Sequence, residues 1–147
     1  MNDNSNDSDF DLLLVENQKI MIDTITVMMK KFSIRVKFAK NTKDFTELIK
    51  IYNFKFIVVD LDLSYNLEGL FISSLYKNIR IMKNYSGRIY LMSEREIFSP
   101  EISNFYFDGI IKKNFDQIYE FLLNNFELRS YSSLIDEESS ERLRNTI

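Results

Sequence analysis

The segment Phe54-Lys55-Phe56-Ile57-Val58-Val59-Asp60 is apolar over residues 54–59, apart from Lys55, and ends on a carboxylate. So apolar a run is typical of a central parallel strand, because helices cover both faces of such a strand. A half-exposed antiparallel strand would alternate apolar and polar side chains instead. Asp60 is therefore either the polar end of a buried strand or a functional carboxylate at the edge of the sheet.

Other short apolar segments alternate with segments of helical periodicity along the whole chain. The predicted strands cover residues 11–15, 34–39, 54–59, 88–92 and 109–111. Helical stripes follow the first three strands: Met21, Ile25, Met28, Met29 and Phe32, then Phe45, Leu48, Ile49 and Tyr52, then Phe71, Leu75, Ile79 and Met82. Strict alternation of strand and helix predicts right-handed crossovers, and hence an α/β fold with a doubly wound five-stranded parallel sheet.

Capping residues mark the starts of several predicted helices. Asn41 or Thr42 precedes the second helix, and Ser99 with Pro100 starts a short fourth one. Asn114 caps the fifth helix, with Gln117 three residues later in a capping-box pattern. Large apolar residues surround the fourth helix, which predicts a partner or dimer surface there; they are Ile97, Phe98, Phe105, Tyr106 and Phe107.

The composition is that of one globular domain. The chain has 147 residues, with 19 Lys and Arg against 22 Asp and Glu, and neither sign forms a long run, which argues against a nucleic-acid partner. No apolar run approaches the roughly 20 residues that span a bilayer, so we expect no membrane insertion and a cytoplasmic location. We expect a disordered segment over residues 1–9, a domain over 10–128, and a polar tail or short helix over 129–147.

The chain contains no Cys and no His. This excludes disulfides, thiol nucleophiles, Ser-His-Asp triads and the usual zinc sites. It also excludes a role as a histidine phosphodonor. Any chemistry must therefore depend on carboxylates, lysines and hydroxyl groups.

Polar side chains follow the ends of four predicted strands, at the edge where doubly wound sheets bind their ligands. They are Glu16, Asn17, Asp60, Asp62, Ser93 and Lys112. A carboxylate nucleophile, oxygen ligands for a hard divalent cation, a hydroxyl and a lysine are what phosphoryl transfer to an aspartate requires. Plainer interpretations are also open, because Asn17 is a good N-cap, Ser93 could satisfy turn backbone, and Lys112 could simply pair with Asp60.

The motifs around these residues resemble the response-regulator receiver domain, which is CheY-like, over residues 10–126. The motifs are Leu12-Leu13-Leu14-Val15-Glu16-Asn17, Phe56-Ile57-Val58-Val59-Asp60-Leu61-Asp62-Leu63, Ile89-Tyr90-Leu91-Met92-Ser93 and Asp108-Gly109-Ile110-Ile111-Lys112. The resemblance implies a flavodoxin-like strand order 2-1-3-4-5. It also implies a phosphoacceptor at Asp60, a switch hydroxyl at Ser93 and the site lysine at Lys112.

For the metal, the resemblance implies Mg²⁺ bound by Glu16, Asn17, Asp60 and the backbone carbonyl of Asp62. The implied function is that of a single-domain response regulator in two-component or phosphorelay signalling, rather than an enzyme. Its partners would be a sensor histidine kinase or phosphotransfer protein, and a downstream protein that binds the face of the fourth helix and fifth strand. A homodimer is a further alternative.

Several residues depart from the receiver pattern. Asn17 replaces a second carboxylate, which predicts weak Mg²⁺ binding. Glu94 stands where the family has a small residue, Lys113 where it has proline, and Gly109 where it has the switch aromatic. These departures predict a divergent receiver, and they keep open a pseudo-receiver that binds partners without phosphorylation.

Two further interpretations concern Asp62. Asp60-Leu61-Asp62 resembles the nucleophile motif of haloacid-dehalogenase-type phosphatases, in which the second aspartate is a general acid/base. That enzyme also needs a downstream acidic pair for its metal, and no Asp-Asp pair follows Asp62. Asp62 could also pair with Arg95 across the pocket mouth, although a solvated surface pair is the plainer expectation.

Overall fold

A computed structural model describes residues 8–94 and 106–130 of the chain. The strands are β1 (Phe10–Val15), β2 (Val36–Ala39), β3 (Phe54–Asp60), β4 (Arg88–Ser93) and β5 (Gly109–Lys112). The helices within these residues are α1 (Lys19–Met29), α2 (Thr42–Ile51), α3 (Glu68–Lys83) and α4 (Phe115–Asn125). All strands pair in parallel in the order β2-β1-β3-β4-β5, so the predicted fold class and strand order are confirmed.

Strand β3 lies at the centre of the sheet, between β1 and β4. All of its residues are buried except Lys55, as its apolar sequence predicts. Its side chains alternate between two layers of core. Ile57 and Val59 pack with α2 and α3, whereas Phe56 and Val58 pack with α1 and α4. Both faces of the sheet are therefore covered, and its polar chemistry is confined to the strand ends.

Helix α3 buries only half of the apolar stripe that the sequence predicts, because Leu75 and Ile79 pack against the core whereas Phe71 and Met82 do not. Phe71 is exposed and Met82 is 79% exposed, so assigning them to the buried face was wrong. The buried face consists of Gly69, Ile72, Ser73 and Tyr76. Two small residues on this face let the helix approach the sheet closely, a signal that a search for large apolar residues does not detect.

Helix caps follow the sequence at two of the three predicted places that lie within the described residues. The Asn41 side chain accepts from the Asp44 amide and the Asn114 side chain accepts from the Gln117 amide, both at 2.9 Å. Asn17 does not cap α1, because the chain enters that helix one residue later, at Gln18.

Part of the predicted partner surface lies outside the described residues. Residues 95–105 contain the predicted fourth helix at Ser99 and Pro100, which precedes α4 in the chain. They also contain Arg95, Ile97, Phe98 and Phe105. Phe107 is described and lies in the core, and Ser73 Oγ donates a hydrogen bond to the Tyr106 carbonyl. Within residues 8–94 and 106–130, no helix is both long and apolar enough to cross a membrane.

Candidate functional site

The carboxyl ends of β1, β3 and β4 bring three polar side chains to one edge of the sheet. Register explains this, because Val15 pairs with Val59 and Asp60 pairs with Met92, so the strands end side by side. Glu16, Asp60 and Ser93 are all buried there. A cleft of about 390 Å³ opens at this edge, lined by Gln18, Asp60, Leu61, Asp62, Ser93, Glu94 and Lys113.

Lys113 is the cation of this cleft. Its Nζ lies 3.0 Å from Glu16 Oε1 and 3.1 Å from Asp60 Oδ2, and it donates a hydrogen bond to Gln18 Oε1 at 3.2 Å. The backbone fixes the lysine from the other side, because the Lys113 amide donates to the Ser93 carbonyl at 2.8 Å. The ends of β1, β3, β4 and β5 are thus joined through one residue, by its ammonium group and its backbone amide.

Lys112 does not occupy the position that the sequence predicts for it. It is the last residue of β5, it pairs with Ser93 in the sheet, and its side chain is exposed. Successive side chains in a strand point to opposite faces, so a shift of one residue sends the ammonium group elsewhere. The lysine that contacts Asp60 is Lys113, at the position that the receiver pattern assigns to proline.

Asn17 is also displaced from its predicted position. Its side chain is exposed and does not line the cleft. Its backbone amide donates to Glu16 Oε2 at 3.0 Å, and the Gln18 amide donates to the same oxygen at 3.1 Å. Glu16 thereby satisfies backbone donors at the entry to α1, and Gln18 is the residue whose side chain faces the pocket.

Asp62 lies at the mouth of the cleft and braces the loop before α3. Its Oδ1 accepts from the Leu67 amide at 2.8 Å, and Leu67 has a left-handed backbone with φ of 65°. Glu68 also holds this loop, because its carboxylate accepts a hydrogen bond from the Ser64 amide at 2.8 Å. The same carboxylate accepts from the amide and the hydroxyl of Thr42 at the start of α2, both at 2.8 Å. Two carboxylates therefore fix the loop that follows Asp60.

Burial gives Asp60 unusual electrostatics. Burial first, and then the negative charge of Glu16, raise the pKa of Asp60 to about 7, while Lys113 acts in the opposite direction. Burial alone would lower the pKa of Lys113, but its hydrogen bond to Glu16 and the charge of Asp60 outweigh this and raise it. The ammonium therefore stays charged, and the carboxyl of Asp60 loses its proton far less readily than an exposed aspartic acid does.

Two of the departures noted in the sequence have defined places. Glu94 is exposed and lines the cleft, close to the position where a ligand of Asp60 would enter. Gly109 accommodates the ring of Tyr90, since a Cβ atom there would lie 2.5 Å from Tyr90 Cε1. Gly109 falls on the position of the switch aromatic when the receiver pattern is aligned on Lys112. When the pattern is aligned on Lys113, that position falls on Ile110, which is exposed and also lacks an aromatic ring.

Sequence reasoning missed Gln18 and Lys113 as site residues. No pattern in the sequence marks which residue after β1 turns inward, and that choice follows from where α1 starts. Lys113 lies between the end of β5 and the Asn114 N-cap, where the alternation of the strand no longer fixes the direction of a side chain. In the described part of the chain, no group of three or more Asp, Glu, His or Cys side chains could hold a metal ion.

Comparison with known proteins supports the fold assignment through structure alone. At the level of sequence, no protein family and no curated protein matches the chain. Among solved structures, it is similar to the Vibrio cholerae chemotaxis protein CheY4, with a TM-score of 0.61 and 16% identity, covering 79% of this chain and 98% of that one. A CheY-like receiver domain from Methanospirillum hungatei gives a TM-score of 0.64 and 16% identity, over 90% of this chain and 98% of that one.

A third similar structure is a response regulator from Burkholderia pseudomallei, described with a phosphorylated aspartic acid, a calcium ion and citrate. It gives a TM-score of 0.63 and 20% identity, over 91% of this chain and 75% of that one. The chain therefore has the fold of response-regulator receiver domains, at a low level of sequence identity.

Proposed function

We propose that this chain is a response-regulator receiver module that accepts a phosphoryl group on Asp60. The observation that carries the proposal is the position of Asp60, which ends the central strand at the floor of the cleft and contacts the Lys113 ammonium at 3.1 Å. In open α/β sheets this edge is the ligand site. Lys113 supplies positive charge for the phosphoryl oxygens, and Ser93 lines the same cleft.

The proposed reaction is a displacement at phosphorus. A carboxylate oxygen of Asp60 attacks the phosphorus of a phosphohistidine or of a small acyl phosphate, and the bond from phosphorus to the leaving atom breaks. The product is an aspartyl phosphate, and the leaving group departs either as imidazole, which takes up a proton, or as a free carboxylate such as acetate. The ionised form of Asp60 is required, and its pKa of about 7 makes this form available at neutral pH. We propose a sensor histidine kinase or phosphotransfer protein as the donor, and output by contact with another protein.

A phosphorylation-independent pseudo-receiver is the second candidate. One observation favours it, namely that the Lys113 ammonium is already engaged by Glu16, Asp60 and Gln18 in the described state. In that case the cleft is a structural ion-pair cluster, and function lies in the outer surface of the domain. The phosphatase alternative has less support, because Asp62 is engaged with the loop backbone through Leu67.

Acetyl phosphate labelling tests the proposal. The full chain, Asp60→Asn and Asp62→Asn are incubated with acetyl phosphate, with and without MgCl₂, and analysed by intact mass spectrometry. We expect a single phosphoryl adduct on the wild type and on Asp62→Asn, and none on Asp60→Asn. No adduct on the wild type, together with unchanged amide spectra on addition of beryllofluoride, would favour the pseudo-receiver. Steady hydrolysis of p-nitrophenyl phosphate that is lost in Asp62→Asn would favour the phosphatase.

A further inference from the structure

We propose that Lys113 is the resident cation of the Asp60 pocket and that it excludes divalent metal ions from this site. Its ammonium contacts Glu16 Oε1, Asp60 Oδ2 and Gln18 Oε1 at 3.0, 3.1 and 3.2 Å. The contacts with the two carboxylates are ion pairs, and the contact with Gln18 is a hydrogen bond. The Lys113 side chain is only 4% exposed, so little water reaches the group. The cation of this pocket is thus built into the chain.

One oxygen of Glu16 and the side chain of Asn17 are not available to a metal in this arrangement. Glu16 Oε2 accepts from the amides of Asn17 and Gln18. The Asn17 side chain is exposed and lies outside the cleft lining. The donor set that the receiver resemblance implies is therefore not assembled for Mg²⁺ in this arrangement.

The distances between the Lys113 ammonium and these oxygens also argue against a site built for Mg²⁺. Mg²⁺ requires near-octahedral oxygen ligands at about 2.0 to 2.1 Å. The three oxygens around Lys113 stand at the longer distances of N–H donation, and they approach it from three different segments: the end of β1, the entry to α1 and the end of β3. A divalent ion could use Glu16 and Asp60 only after the lysine had left and the carboxylates had moved inward.

Charge balance makes the two cations competitors. Glu16, Asp60 and Lys113 together carry one net negative charge when both carboxylates are ionised. Mg²⁺ bound beside a retained ammonium would place like charges a few ångströms apart in a buried site, where the repulsion is poorly screened. Mg²⁺ binding therefore requires Lys113 to leave, whether or not Asp60 is ever phosphorylated.

Removing the lysine should create a metal site. The test titrates MgCl₂ into the full chain, Lys113→Met and Lys112→Met, and follows the backbone amide NMR signals of Leu61 and Ser93. Lys112→Met is the matched control, since it removes the same charge one residue away from an exposed position. We expect no saturable shift in the wild type or in Lys112→Met up to roughly 10 mM Mg²⁺. We expect Lys113→Met to bind Mg²⁺ at least about tenfold more tightly.

The proposal can also be tested if Lys113→Met fails to fold without a metal ion. Lys113→Met leaves two buried carboxylates facing each other, which destabilises the domain. If this variant has no thermal transition in the absence of divalent ions, MgCl₂ should restore it and NaCl of equal ionic strength should not. A folded Lys113→Met that binds Mg²⁺ no better than the wild type would overturn the proposal. So would an unfolded variant that MgCl₂ fails to restore, or a wild type that binds Mg²⁺ as tightly as Lys113→Met.

Discussion

A Cβ atom at Gly69 would stand only 2.3 Å from the carbonyl oxygen of Asp60. The Gly69 amide also donates to the Leu61 carbonyl at 2.8 Å. The first turn of α3 therefore lies directly against the backbone that carries the candidate phosphoacceptor. Because the atoms involved belong to the backbone, they cannot rotate away as a side chain could. The position of Asp60 consequently depends on the absence of a side chain at residue 69.

Gly69→Ala should therefore destabilise the domain, although alanine is the better helix former. We expect a net loss of about 1 to 2 kcal/mol in the free energy of unfolding, because overpacking against backbone costs up to about 3 kcal/mol and helix propensity returns only roughly 1 kcal/mol. Urea unfolding measures the difference. Gly109→Ala is the comparison, because its new Cβ would meet the Tyr90 ring, a side chain that can turn. Equal unfolding midpoints for Gly69→Ala and the wild type would contradict the close approach.

Tyr76→Phe should cost a modest amount of stability. The Tyr76 hydroxyl is buried and donates to the Gly87 carbonyl at 2.9 Å. The same carbonyl also accepts from Arg80 Nη1 at 3.1 Å, so the mutation does not leave it without a donor. We expect a loss of about 0.5 to 1.5 kcal/mol in urea unfolding. Tyr85→Phe, whose hydroxyl makes a 3.3 Å contact with the Ile49 carbonyl, should lose less, and the reverse order would contradict this account.

The fold could be predicted because its determinants are local. Apolar strands such as β3 and caps such as Asn41 and Asn114 can each be recognised within one short stretch of sequence. The buried face of α3 is not, because Phe71 and Met82 share the helical period with the true core residues. Which of the two overlapping stripes is buried depends on how closely the helix approaches the sheet. The close approach occurs at Gly69, against the backbone of Asp60 and Leu61.

The candidate site could be predicted only to within one residue. Strand ends placed Glu16, Asp60 and Ser93 correctly, because buried apolar runs stop at defined points. Lys112 and Asn17 were each one residue from the inward-facing position, which belongs to Lys113 and Gln18. Beyond the last ladder residue the alternation of faces no longer holds, and the direction of a side chain depends on the helix entry that follows. Local sequence alone does not determine that direction.

Glu68 should stabilise the domain in a pH-dependent way. Burial alone would raise the pKa of Glu68, but hydrogen bonds from Thr42 and Ser64 outweigh it and hold the pKa below its ordinary value of 4.5. A carboxyl with a lowered folded-state pKa contributes stability above the unfolded pKa, and this stability is lost as the pH falls through the folded value. Glu68→Gln should therefore cost most at neutral pH and progressively less below about pH 4.5.

The expected cost of Glu68→Gln at pH 7 is about 1 to 3 kcal/mol, because the amide NH₂ group would face a backbone or hydroxyl donor. Urea unfolding at neutral and acidic pH measures both the cost and its pH dependence. Glu47→Gln, at an exposed position on α2, should change stability by less than about 0.5 kcal/mol at either pH. A cost for Glu68→Gln that is the same at both pH values would rule out the ionised, hydrogen-bonded carboxylate.

Asp60 should produce the opposite pH dependence. Its folded-state pKa is raised from 3.8 to about 7, first by burial and then by the charge of Glu16. The stability associated with the protonated carboxyl is complete below the unfolded pKa and is lost as the pH rises through the folded value. Asp60→Asn cannot ionise, so its stability relative to the wild type should increase by about 2 to 4 kcal/mol between roughly pH 4 and pH 7.

Carboxyl ¹³C NMR tests the cause of the raised pKa of Asp60 directly. In the wild type we expect the Asp60 carboxyl to titrate near pH 7. Glu16→Gln removes the neighbouring negative charge and should move that midpoint downward, whereas Lys113→Met removes the opposing positive charge and should move it upward. Lys112→Met, which removes a charge outside the pocket, should leave it nearly unchanged. A wild-type midpoint near 4 would contradict the raised pKa, and shifts of the same sign in Glu16→Gln and Lys113→Met would mean that the charges of the cleft do not control this carboxyl.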